Sequence, residues 1–200
     1  MSVLDLTAPL VLASGSPRRR ELLTGAGLRF AVRRADIDET PLLDEAPANY
    51  VRRLAIEKAD ACCISLLANP SEIVLAADTT VDVNGEIFEK PLDADDAYRM
   101  LRMLSGRTHL VHTGVTVSVP IAGVRRSSTI VVTTEVTFAD LEDAAIHWYL
   151  ETGEAMDKAG AYGIQGAAAA FVEKIAGSVT NVIGLPLAET LTLLRKATLN

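Results

Sequence analysis

Ile73-Val-Leu-Ala-Ala-Asp-Thr-Thr-Val-Asp-Val-Asn-Gly-Glu-Ile-Phe88 is the stretch on which the fold turns. Its opening, Ile73 to Ala77, is wholly apolar and reads as a buried strand. Its close sets Val81-Asp-Val83 and Glu86-Ile-Phe88 on either side of Asn84-Gly85. That pair favours the positive φ angles of a two-residue hairpin turn. A buried apolar strand running towards a hairpin points to a sheet that is not of one type throughout.

On the N-terminal side, Leu10 to Ala13 is a second apolar strand, followed by Ser16 as helix N-cap and Pro17 at the first helical position. Arg29 to Arg34 reads as a strand, Asp36-Ile-Asp-Glu-Thr-Pro41 as an acidic loop, and Pro47 to Leu67 as a long helix. On the C-terminal side, Asp93 to Leu104 is an amphipathic helix with an acidic first turn. Thr108 to Val119 and Val124 to Phe138 are long strands rich in Val and Thr, turned by Pro120-Ile-Ala-Gly123 into an antiparallel hairpin. Asp140 to Leu150 reads as a helix, Ala155 to Gly166 as a glycine-punctuated loop, Phe171 to Ile175 as a strand and Pro186 to Ala197 as a closing helix. Strands, helices and hairpins in this alternation predict an α/β fold with a mixed sheet.

The 200 residues are 49% hydrophobic and 22% charged, enough to bury a core as one domain or as two tightly packed lobes. A net charge of −7 argues against a nucleic acid polymer as partner, while leaving room for a small anion met by local cations. Cys62 and Cys63 are adjacent in the long helix, where they make poor disulfide partners and no metal spacing, so they read as core residues of a reduced, cytoplasmic chain. The N-terminus lacks a basic n-region, and no apolar run is long enough to span a membrane.

Arg18, Arg19 and Arg20 fall in the first turn of the first helix, where cations oppose the macrodipole. An anion at the helix start, held by free N–H groups and arginine forks, resolves the conflict, and a phosphate fits. Asp78 continues a buried apolar run; it either caps a turn or must find a cation or several donors. Lys58 interrupts the inward stripe of Val51, Leu54, Ala55, Cys62 and Leu66. It either snorkels past the core edge or points its ammonium into a cleft. Glu39 reads by default as solvated loop and Lys90 as soluble surface. Gly160, Gly163 and Gly166 surround Tyr162 and Gln165, allowing close backbone approach to a ligand, with Gln165 offering donor and acceptor to a base edge. His109, His112 and His147 show no ligand spacing, and no Ser/His/Asp set or cysteine nucleophile is suggested. Any metal is then a hard cation held by carboxylates, Mg²⁺ or Mn²⁺.

Taken together, these segments resemble the Maf family of nucleotide pyrophosphatases from about Leu10 to Leu194. The motifs are Ala13-Ser-Gly-Ser-Pro-Arg-Arg19, Tyr50-Val-Arg-Arg-Leu-Ala55 with Lys58, Ala77-Asp-Thr79, Glu89-Lys-Pro91 and Leu104-Ser-Gly106. Lys158-Ala-Gly-Ala-Tyr-Gly-Ile-Gln-Gly166 and Gly177-Ser-Val-Thr-Asn-Val-Ile-Gly-Leu-Pro186 complete the set.

The resemblance implies an elongated, twisted mixed sheet flanked by helices, inosine-triphosphatase-like. Residues 1–200 would form a single domain whose two lobes enclose a central cleft. It implies hydrolysis of a nucleoside triphosphate between the α and β phosphates, assisted by a divalent cation. Ala77-Asp-Thr79 and the Tyr162-Gly-Ile-Gln165 run look like the branch acting on dTTP and UTP. By the same resemblance Asp78 is the proton acceptor, and Arg18, Thr79 and Gln165 sit at specificity positions. Ser14, Arg19, Glu39, Lys58 and Lys90 match the other polar residues of the cleft. The helix start at Ser16, with Arg19, Lys58 and Lys90, would clamp the phosphates. Asp78 or Glu39 would hold the metal in part, so Asp78 is open to either role. Ala167-Ala-Ala-Ala170 replaces glycines common in the family, and Val179 replaces a common aromatic residue, which bears on loop shape and base fit. A nucleotide-binding regulator of septum formation and a house-cleaning hydrolase of modified pyrimidine nucleotides are the alternatives. The exposed strands of the long hairpin would suit a homodimer.

Overall fold

A computed structural model describes residue 4 and residues 6–65, 71–121 and 123–198. Along the chain lie β1 (Leu10–Leu12), α1 (Pro17–Gly25), β2 (Phe30–Val32), α2 (Pro47–Ser65), β3 (Ile73–Val83), β4 (Glu86–Phe88) and α3 (Ala94–Leu104). They are followed by β5 (Thr108–Ile121), β6 (Val124–Phe138), α4 (Asp143–Glu151), β7 (Val172–Ala176), α5 (Val179–Ile183) and α6 (Leu187–Thr198). The strands form one seven-stranded sheet in the order β2-β1-β3-β5-β6-β7, with β4 paired on β3 off this path. β1 runs parallel to β2 and β3, and the other pairings are antiparallel, so the sheet is mixed as expected. Leu66 and Leu67 of the expected long helix and Ala122 of the expected hairpin turn lie outside the described residues.

The apolar strand and the first arm of the small hairpin prove to be a single strand, β3. Asp78 therefore does not end a strand: β3 carries on past it because β5 pairs with β3 from Val74↔Ser118 to Asp82↔Leu110. On the opposite edge the pairing is broken. β1 reaches only Leu12↔Leu75, extended by the Ala13 N–H donating to the Leu75 carbonyl, and β4 begins at Val81↔Phe88. Between them, Ala77 to Thr80 face a gap in the sheet.

Elsewhere the elements shift at their ends. Asp93 is the N-cap of α3, its carboxylate accepting from the Asp96 N–H. α4 starts at Asp143 and not at Asp140, because the Leu141 N–H donates to Ser105 Oγ at 2.7 Å and Leu141 is buried. The glycine-punctuated segment contains a 3-10 turn at Ala159–Ala161, a second follows at Ala167–Phe171, and α5 lies in a stretch with no helical periodicity to announce it.

Alternation along β3 and β5 builds the core on both faces and at both ends. Ile73, Leu75 and Ala77 join Leu10, Leu12, Leu23, Val115, Val117 and Leu194 beneath α1 and α6. Val74 and Ala76 turn the other way, against Ala59 and Cys62 of α2. Further along, Val81 and Val83 enter a second large core with Phe88, Leu101, Leu104, Val111, Phe138 and Tyr149. Each fully buried Leu or Phe in these clusters is worth about 1.5–3 kcal/mol. Cys62 is buried, Cys63 is half-buried and both are free thiols. Among the described residues no helix is long and apolar enough to cross a membrane.

Candidate active site

The gap in the sheet opens into a cleft of about 510 Å³, within the ~300–1,000 Å³ of ordinary small-molecule sites. Its wall includes Ser14, Ser16, Arg18, Arg19, Glu39, Lys58, Asp78, Thr79, Lys90 and Gln165, whereas Arg20, grouped with Arg18 and Arg19 in the sequence, lies outside it. They come from α1, α2, β3 and four loops, so only the folded chain brings them together.

Strand alternation sends Asp78 and Thr79 to opposite faces of β3, and each meets a different cation. Asp78 points to the α2 face with Val74 and Ala76. There Asp78 Oδ1 lies 2.6 Å from Lys58 Nζ, and Glu39 Oε1 lies 2.9 Å from the same ammonium. Lys58 is 8% exposed and Asp78 7%, so the pair is buried and the lysine does not snorkel. Neither charge would be tolerated there alone, since an unpaired buried ion costs several kcal/mol. Glu39 reaches in from the acidic loop with half its side chain exposed, which corrects the reading of it as a purely solvated residue.

Thr79 turns to the other face. Its Oγ1 accepts from Arg19 Nη2 at 3.1 Å and shares a hydrogen bond with Thr113 Oγ1 at 2.8 Å. Arg19 also donates to Ser14 Oγ at 3.0 Å and, through Nε, to the Gly184 carbonyl at 2.8 Å. All three acceptors are neutral. Burial pulls the Arg19 pKa below its ordinary value, with Asp78 opposing the shift. The guanidinium thus ties the end of β1, the middle of β3 and the end of α5 together while its charge has no carboxylate contact. Asn181 anchors α5 beneath, donating to the Val111 carbonyl at 2.9 Å and to Thr134 Oγ1 at 3.0 Å.

The N-terminus of α1 opens on the same cleft. Ser16 caps it by accepting from the Arg19 N–H at 3.4 Å, and no acidic residue occupies the first turn. Arg18 crosses to the glycine-punctuated segment, where Nη1 lies 3.2 Å from Asp157 Oδ2. Asp157 Oδ1 in turn accepts from Lys158 Nζ at 2.6 Å. Lys90 and Gln165 are exposed on the rim and make no hydrogen bond or ion pair with any described residue.

Four more wall residues had been given no role: Arg34, Tyr50, Glu89 and Tyr162. Arg34 lies over Gly15, where a β-carbon would sit 2.5 Å from its Nε, and it too has no described polar partner. Tyr50 is buried at the start of α2, and its hydroxyl lies 2.6 Å from Glu89 Oε1 and 2.9 Å from the Glu39 carbonyl oxygen. Glu89 stands within a quoted motif, next to Lys90. Tyr162 is a wall residue whose hydroxyl bonds inward to His109 Nε2 at 2.8 Å. His109 is buried, as is His112, whose Nδ1 and Nε2 meet Thr133 and Asp82; His147 is on the surface.

Among the described residues no three His, Cys, Asp or Glu side chains cluster as a complete metal site. What the cleft offers is two carboxylates converging on Lys58. That donor set suits a cation such as Mg²⁺ or Mn²⁺, which takes one or two protein carboxylates and completes its shell with waters and substrate phosphate oxygens.

Known proteins share this chain almost from end to end. A dTTP/UTP pyrophosphatase of Anaeromyxobacter dehalogenans is 56% identical over 188 residues, 94% of this chain and 93% of its own. Another of Myxococcus xanthus is 52% identical over 94% of this chain and 92% of its own, and one of Hahella chejuensis is 49% identical over 94% and 91%. Among solved structures, that of the Staphylococcus aureus Ham1 protein aligns with 66% of this chain and 72% of its own, at 18% identity and a TM-score of 0.44. The model of the family described as Maf-like protein matches residues 9–197, which takes in every strand and every wall residue of the cleft: the chain belongs to the Maf family.

Proposed function

We propose that this protein is a nucleoside triphosphate pyrophosphatase that hydrolyses dTTP and UTP to the monophosphate and pyrophosphate. The observation that carries the reading is the Lys58 ammonium held between Asp78 and Glu39, in a cleft where Arg19 has only neutral partners and Lys90 and Arg34 have no polar partner among the described residues, while Arg18 and Lys158 pair with Asp157. The names of relatives at 56% and 52% identity support the substrate pair.

The triphosphate lies across the gap in the sheet, its phosphates on the α1 N-terminus, Arg19, Lys90 and Arg34. Charge-assisted contacts of this kind are worth about 1.5–3 kcal/mol each. Arg18, Thr79 and Gln165 face the nucleoside end. Water adds across the α–β phosphoanhydride: a P–O bond forms to the water oxygen as the bridging P–O bond breaks. Asp78 takes the proton of that water, and Lys58 keeps the carboxylate in place. The fixed cations oppose the charge that grows on the pyrophosphate leaving group. Asp78 and Glu39 are the residues that would hold Mg²⁺ or Mn²⁺, whose chemistry when bound is to neutralise phosphate oxygens. We read the protein as cytoplasmic, with a free nucleotide as partner and neither a nucleic acid polymer nor a membrane. The homodimer stays part of that reading through β6 alone, since β5, the other strand of the long hairpin, is largely buried and not exposed as expected.

Incubation of the pure protein with Mg²⁺ and a panel of nucleoside triphosphates, assayed for pyrophosphate against orthophosphate, tests the proposal. Pyrophosphate from dTTP and UTP with little from ATP or GTP is the expected result. Nucleotide binding without pyrophosphate release would overturn it in favour of the regulator.

A further inference from the structure

Glu39 stands in a stretch, Asp36 to Ala46, that has no helix or strand to hold it, yet its carboxylate meets a buried lysine at 2.9 Å. What places it is a set of ties to α2. Ile37 packs against Tyr50, Val51 and Leu54, and Arg53 Nη2 donates to the Thr40 carbonyl at 3.2 Å. The tie to Glu39 itself is Tyr50, 3% exposed, whose hydroxyl lies 2.9 Å from the Glu39 carbonyl oxygen. The same hydroxyl lies 2.6 Å from Glu89 Oε1, beyond the end of β4. A phenol has one hydrogen, so the two acceptors share it and the acidic loop is clipped to both walls at that end of the cleft. Burial raises the Tyr50 pKa, with the Glu89 hydrogen bond adding to the rise, so the hydroxyl stays a donor.

We infer that Tyr50 is a positioning residue for the reaction: through the Glu39 backbone it holds the Glu39 carboxylate at the Lys58–Asp78 pair. Resting on the pyrophosphatase reading, the inference assigns Tyr50 no contact with substrate.

Tyr50→Phe keeps the ring and removes only the hydroxyl. The expected result is a loss in kcat of about tenfold with KM for dTTP little changed, since displacement of a positioned group costs turnover before binding. Backbone amides from Asp36 to Thr40 should exchange with deuterium faster than in the wild type, with the rest of α2 unchanged. In a Glu39→Gln background, Tyr50→Phe should cost almost nothing more, because the group it positions is already lost. Tyr50→4-aminophenylalanine, nearly isosteric and with a hydrogen for each acceptor, should recover turnover and guards against a folding artefact. Full activity of Tyr50→Phe, an equal loss in both backgrounds, or no recovery by the amino variant would overturn the inference. Should the wild type release no pyrophosphate, the pyrophosphatase reading fails, and the amide exchange alone still decides whether Tyr50 tethers the loop.

Discussion

Gly114 stands directly across the β3–β5 ladder from Asp78, and a β-carbon on it would lie 2.2 Å from the Val51 carbonyl oxygen of α2. The bare glycine lets the helix backbone settle onto the strand at the level of the Asp78 carboxylate. Lys58, two turns further along the same helix face, is thereby lowered onto Asp78. Gly114→Ala must push backbone against backbone, so we expect destabilisation towards the upper end of the ~1–3 kcal/mol typical of overpacking. Turnover should fall with it as Lys58 lifts away, and urea denaturation beside kinetic assays reads both.

Asp78→Asn keeps the shape and removes the charge. Turnover should fall by about 10²–10⁴-fold, the usual contribution of a positioned base. Far-ultraviolet circular dichroism should be unaltered, and near-normal activity would end the assignment of Asp78.

Lys58→Met leaves Asp78 buried without its cation, a change that costs about 3–5 kcal/mol in comparable pairs. Adding Asp78→Asn removes the orphaned charge. The double variant should therefore be more stable than Lys58→Met alone, while remaining inactive. A melting temperature for the double variant equal to or below that of Lys58→Met would contradict the pairing.

Arg34→Ala removes a cation that has no polar partner among the described residues and lies against Gly15, just before α1. We expect KM for dTTP to rise about three- to tenfold, the low end for a charge-assisted contact at an exposed site, with kcat nearly constant. Initial-rate kinetics at several nucleotide concentrations separate the two parameters.

His109 gives the fold a pH dependence. Burial pushes its pKa down from 6.5 to about 4, and its Nδ1 has no hydrogen-bond partner. The unfolded chain takes up this proton below about 6.5, the folded chain only below about 4. The contribution is present above pH 6.5 and is lost as the pH falls towards 4, on the order of 3 kcal/mol in full. His109→Gln should shrink the gap between urea midpoints measured at pH 7.5 and pH 5; an unchanged gap would assign it to other groups.

The residues of the cleft were legible where a local conflict advertised them. Arginines stood at a helix start, a lysine broke an apolar stripe, and an aspartate continued a buried strand. Tyr50, Glu89 and Arg34 offered no such conflict: an aromatic residue in an amphipathic helix and charged residues in loops are unremarkable until the fold juxtaposes them. Tyr50 and Glu89 are 39 positions apart, beyond any periodicity. The extent of β3 was hidden for a related reason. Asp78, Thr79 and Thr80 look like a strand's end, but the gap beside them gives polar side chains somewhere to go. α5 was hidden because the side-chain amide of Asn181, wholly buried, donates to strands β5 and β6, a long-range anchor that no local periodicity announces.

Neither of the two large cores owns β3 or β5; both strands pass without a break from one to the other. The molecule therefore has a stiff common spine where many clefted enzymes have a hinge. Swinging the halves apart would tear the ladder that carries Asp78 and Thr79. The parts hung on that spine are fastened across the cleft as well, the acidic loop by the Tyr50 hydroxyl and the glycine-punctuated segment by the Arg18–Asp157 pair. Whatever enters this cleft meets an unbroken sheet as its floor and two tied segments as its rim.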